Sequence, residues 1–152
     1  EKPVVDVYVP EKLRDKHKPI MMQRYDSRFD IFVKKIFKTV LSQRMRDEVY
    51  SVHDFKGKHN FRVNVLRKEF IVLLKAVTER QNDFDDIRNI VEMEKNFDWH
   101  LLIEETIWQY RHGDIWVVFD VEKAMKELKK YVFIEGKFIK QLHEASEASS
   151  VE

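Results

Sequence analysis

The spacing of apolar residues changes near residue 67, from alternation to a helical repeat, and this change organises the chain. Before it, residues 4–9 are β-branched and aromatic and stop at Pro10, which predicts a short strand. Residues 12–18 read as a charged connector. Residues 28–33 alternate, with Phe29, Ile31 and Val33 on one face and Asp30 and Phe32 on the other, so Asp30 falls near mid-strand. Ile36, Phe37, Val40 and Leu41 recur at helical spacing and predict a short helix over 36–45. Residues 48–55 and 61–66 flank Lys56-Gly57-Lys58-His59-Asn60. This predicts two antiparallel strands around a glycine-containing turn, with Phe61, Val63 and Val65 facing inward.

Beyond residue 67, Phe70, Ile71, Leu73, Leu74 and Val77 form the broad apolar stripe of a helix ending near Arg80-Gln81-Asn82. Asn82 or Asp83 is expected to cap the next helix, which carries Phe84, Ile87, Ile90 and Val91 on one face. Asp98 caps a third, with Trp99, Leu102, Ile103, Thr106 and Tyr110 aligned and Gly113 as terminator. Residues 115–119 fit either a strand or a buried approach to a helix capped by Asp120, along which Val121, Ala124, Met125 and Leu128 repeat. Phe138, Ile139 and Leu142 support a last short helix, and 144–152 reads as a flexible Ser/Glu/Ala tail. Strands followed by helices define an α+β domain over residues 1–143. A small mixed or antiparallel sheet is expected in its N-terminal half and a packed helical region after it.

Composition narrows the function classes. The chain has 152 residues, a length suited to one core, and 28 basic residues nearly cancel 27 acidic ones. A net charge of +1 provides no global field toward nucleic acid or membrane. The absence of cysteine excludes disulfides and thiolate metal sites and fits a reducing, cytoplasmic setting. No apolar run reaches the roughly 18 residues a membrane span needs. The first residue is Glu1, which leads us to expect a domain continued at its N-terminus in a longer protein. The histidines show no ligand spacing for zinc, and no Gly-rich phosphate loop or nucleophile elbow occurs. Lys34, Lys35, Lys38, Lys56, Lys58 and His59 beside Tyr50, Phe55 and Phe61 make either a solvated face or a basic rim for RNA or nucleotide phosphates. The tryptophans at helical spacing read as core, with Trp116 the one best placed to be exposed.

The chemically informative run is LLKAVTERQNDFDDI, residues 73–87. Here one Lys lies on an apolar helix, a basic helix end follows, and the next helix opens with Asp83, Asp85 and Asp86. Helix physics alone accounts for such a run: Asp83 as cap, Asp85 paired with Arg88, and Lys75 or Arg80 neutralising the acidic first turn. The same run resembles the paired C-terminal motifs of nucleotidyltransferase-like proteins, including toxin components of type IV toxin–antitoxin systems. In those proteins a helix bearing Lys and Arg precedes one opening D-x-x-D-I. Residues 28–32 are similar to the strand that carries a later acidic residue in that fold, and Asp98-Trp99 with Glu104-Glu105 follows.

The resemblance covers residues 26–112 and implies transfer of a nucleoside monophosphate from an NTP to RNA or protein, with Mg²⁺ as cofactor. It places Asp30 as the metal-binding carboxylate, Lys75 on nucleotide phosphates, Asp83 or Asp86 as the group positioning Lys75 or the nucleotide, and Arg80 as a brace at the helix junction and nucleotide site. The family's first motif, a Gly-Ser turn followed by two strand carboxylates, has no counterpart in the chain. Activity is therefore expected only where a preceding segment supplies it. The alternative expectation is a non-catalytic interaction module, antitoxin-like or complex-forming, acting with a protein partner or as a homo-oligomer.

Overall fold

A computed structural model describes residues 20–24, 26–32, 35–57, 60–78 and 80–148. The strand expected over 4–9 and the connector over 12–18 lie outside the described residues. The fold is α+β, and the chain divides into two compact units, Glu1–Val65 and Leu66–Glu152.

In the first unit, β1 (Ile20–Arg24) and β2 (Ser27–Ile31) pair antiparallel, from Ile20 opposite Ile31 to Arg24 opposite Ser27. The pattern had marked β2 but not its partner. Contrary to the helix expected over 36–45, residues 36–41 form no helix. β3 (Lys35–Ile36) and β4 (Thr39–Val40) pair as a hairpin, reversed at Phe37, whose φ of 54° is left-handed. Apolar residues at 36, 37, 40 and 41 suit a helix face, but they equally suit the two ends of a tight hairpin whose return strand begins with β-branched Thr39 and Val40. A left-handed non-glycine residue costs about 1–3 kcal/mol. The Phe37 ring lies 5.3 Å from that of Phe32, a contact that offsets part of that cost.

Among the described residues of this unit, helix appears only in α1 (Gln43–Asp47), where the Ser42 hydroxyl accepts from the Met45 N–H at 3.1 Å and Met45 is fully buried. β5 (Val49–Phe55) and β6 (Phe61–Leu66) form a third two-stranded sheet, where the alternation predicted it. Across it, Arg62 holds both oxygens of Asp54, at 2.7 and 3.2 Å, which keeps the Asp54 carboxyl below its ordinary range.

The second unit consists of α2 (Lys68–Ala76), α3 (Gln81–Met93), α4 (Trp99–His112), α5 (Val117–Leu128) and α6 (Gly136–Ala148). α2 packs against α3, α4 and α5, while α4 and α6 pack on each other and both on α5. The core is Phe70, Leu73, Ile87, Leu102, Ile103, Met125, Leu128 and Leu142, with α4 buried on most sides. Asp98 caps α4 as expected, accepting from the Leu101 N–H at 3.0 Å, and Gly113 ends it. Buried Glu69 on α2 accepts from the Asp98 N–H at 3.0 Å and from Arg67 at 3.2 Å, tying the start of α4 to the start of α2.

Two boundaries differ from the sequence reading. Residues 117–119 belong to α5 and not to a strand, because Val117, Val118 and Val121 bury one helical face while Phe119 points outward. α6 runs on to Ala148, past the point where a tail was expected. Among the described residues no helix is long and apolar enough to cross a membrane.

Leu102 has no exposed surface, so Leu102→Ala is expected to lower stability by about 3 kcal/mol through lost burial and a residual cavity. Chemical denaturation followed by tryptophan fluorescence reads this unit directly, since Trp99, Trp108 and Trp116 all belong to it. A loss under about 1 kcal/mol would place Leu102 outside the core.

Candidate functional site

The α2–α3 junction gathers four of the residues singled out in the sequence. α2 ends at Ala76, and α3 begins at Gln81 with Arg80 as its N-cap. The expected cap at Asn82 or Asp83 is thereby corrected: Asp83 lies in the first turn of α3, and no side chain caps this helix. Arg80 is extended and donates to Asp83 Oδ2 at 2.7 Å. Asp83 Oδ1 accepts from Lys75 Nζ at 3.1 Å, and Thr78 Oγ1 lies within hydrogen-bond distance of Oδ2. The Thr78 hydroxyl also lies 2.7 Å from the Lys75 carbonyl oxygen, and its single proton serves one acceptor at a time. Asp86, one helical turn along, accepts from Lys75 Nζ at 2.6 Å.

The two carboxylates at Lys75 differ in kind. The Asp83 side chain is 9% exposed, and that of Asp86 is 55% exposed. Burial pushes the Asp83 carboxyl up, but hydrogen bonds from Thr78, Lys75 and Arg80 outweigh it and hold it below its ordinary value. For Lys75 the hydrogen bond to Asp86 is the largest influence. With Asp83 it outweighs burial and raises the ammonium above its ordinary value.

The same junction borders a cleft of about 330 Å³. Lys75, Arg80, Phe84 and Ile87 line it from α2 and α3, facing Asp120, Lys123, Glu127 and Tyr131 from α5 and the turn after it. The α5 residues were not singled out as a site, although Asp120, Lys123, Ala124 and Glu127 recur at one-face helical spacing. The guanidinium of Arg88 lies 3.9 Å from the centre of the Tyr131 ring, and its Nε is 3.1 Å from Glu92. The expected Asp85 pairing is thus replaced by one with Glu92, an i,i+4 neighbour.

Asp30 belongs to the first unit, on exposed β2, where Arg28 donates to both its oxygens at 3.0 and 3.3 Å. Mg²⁺ takes octahedral oxygen coordination, generally with more than one carboxylate or several retained waters. Among the described residues no group of three His, Cys, Asp or Glu is placed to hold a metal ion. The described donors therefore do not fit a Mg²⁺ centre built on Asp30. Of the basic rim, Lys35, Lys38 and Lys56 are exposed, as are Tyr50 and Phe55, while Lys34, Lys58 and His59 lie outside the described residues. Trp116 is 57% exposed.

Comparison with protein-family models, with curated proteins and with solved structures finds no match.

Asp83→Asn is expected to cost about 2 kcal/mol, since it removes a charge-assisted acceptor from a buried network. Asp86→Asn, at an exposed pair, should cost about 0.5 kcal/mol or less. The lowered carboxyl of Asp83 stabilises the fold fully above its unfolded value of 3.8, and this contribution is lost as pH falls through the lower folded value. The raised ammonium of Lys75 stabilises the fold fully below 10.5 and ceases to as pH rises through its folded value. The stability gap between wild type and Asp83→Asn should therefore be full at neutral pH and close as the pH drops below 3.8. A gap independent of pH in urea titrations would show that the Asp83 charge is not what holds the junction.

Proposed function

We propose that this is a nucleotidyltransferase-like protein whose helical unit binds a nucleoside triphosphate in the cleft between the α2–α3 junction and α5. The observation that carries the reading is the lining of that cleft. Three cations, Lys75, Arg80 and Lys123, line it together with the carboxylates Asp120 and Glu127, and Phe84 and Tyr131 contribute to its walls. Cations suit phosphate oxygens, rings suit a base, and a volume of about 330 Å³ falls in the range of small-ligand clefts. The motif resemblance on Lys75, Arg80, Asp83 and Asp86 points to the same ligand.

The resemblance carries the reading further, to transfer of a nucleoside monophosphate onto RNA or protein. The described residues supply no fitting Mg²⁺ donor set, so the proposal made from them is one of binding. A non-catalytic module retaining the same cleft would share that binding and lack the transfer.

Titration calorimetry with ATP, with and without Mg²⁺, tests the reading. Wild type is expected to bind and to melt at higher temperature when ligand is present. Lys75→Ala should weaken binding about tenfold. Lys140→Ala, on exposed surface at α6, should leave it unchanged. No heat of binding and no melting shift with any nucleoside triphosphate, or equal effects of the two substitutions, would overturn it.

A further inference from the structure

We infer that Asp86 is an internal competitor for the cleft: its carboxylate occupies the Lys75 ammonium that an incoming phosphate group must engage. This rests on the triphosphate-binding reading of the cleft. Lys75 lines the cleft, but Asp83 and Asp86, its two partners, do not. The Lys75 ammonium is thus paired with two carboxylates that do not themselves line the cleft. An anion in the cleft gains that charge only by drawing the ammonium off one of them.

The partner that yields is set by burial and bonding. Asp83 is 9% exposed and shares its oxygens among Lys75, Arg80 and Thr78, so breaking its contact would leave buried charge poorly compensated. Asp86 is 55% exposed, and among the described residues its ion-pair partner is Lys75. When the ammonium leaves, water solvates its carboxylate at little cost. Asp83 accordingly works as the pivot that keeps Lys75 at the junction, and Asp86 as the exchangeable contact. The device makes the cleft selective for ligands that carry enough negative charge to outcompete a carboxylate, such as triphosphates over monophosphates.

Inorganic tripolyphosphate isolates the phosphate contribution, with ATP titrated in parallel. Asp86→Asn, and Asp86→Ala as a second variant, should tighten binding of both probes about threefold to fivefold, the equivalent of an exposed ion pair. They should also narrow the preference for ATP over AMP. Asp85→Asn controls for simple loss of negative charge, because Asp85 neighbours Asp86 on exposed α3 surface without touching Lys75. Wild type binding as well as Asp86→Asn, or Asp85→Asn giving the same gain, would overturn the competitor role and leave the cleft reading intact. If neither wild type nor either Asp86 variant binds tripolyphosphate or ATP, both the cleft reading and this inference fall. Tripolyphosphate binding that is undetectable in wild type and becomes measurable in Asp86→Asn, with ATP bound by wild type, would support both.

Discussion

A nearly buried carboxylate at the start of α3 sets the geometry of the helical unit's candidate site. Asp83 is stable as an anion there only because donors arrive from three directions: Lys75 from α2, Thr78 from the connection, and Arg80 from the residue before the helix. Each donor fixes a different part of the α2–α3 junction. Together they determine where Lys75 and Arg80 can stand, and hence part of the charge lining the cleft. A buried carboxylate with fewer partners would favour its neutral form, and the junction would lose what orients it.

The cleft depends on packing as much as on that charge. α5 packs on α2, α4 and α6 and buries Val117, Val118, Val121, Met125 and Leu128, while Asp120, Lys123, Ala124 and Glu127 line the cleft. Glu69 performs a related task at the opposite end of α2, where its buried carboxylate joins the Asp98 backbone and Arg67. Two acidic side chains of ordinary type thus organise the helical unit because each is buried beside matched donors. Asp30, exposed and held by a neighbour on its own strand, organises nothing comparable.

The N-terminal unit shows where periodicity loses its power. Two-residue strands such as Lys35–Ile36 and Thr39–Val40 are too short for alternation to register, and the reversal at Phe37 uses a backbone conformation that its residue type does not advertise. The Phe32–Phe37 ring contact that accompanies the turn is a tertiary fact. β5 and β6 were legible because each is long enough to alternate and a glycine-bearing polar stretch separates them.

By itself the amino-acid order determined the α+β class, the positions of α2, α3 and α4, the Asp98 cap, the Gly113 stop, and the grouping of Lys75, Arg80, Asp83 and Asp86. These follow from local rules: side chains a few positions apart on a helix share a face, and caps act over a single turn. Folding in three dimensions decided that Asp83 receives hydrogen bonds without capping α3, that Arg88 turns to Glu92 and Tyr131, and that α5 supplies the far wall of the cleft. Such outcomes depend on which helices meet and which groups lose water when they do. Distance along the chain does not encode that.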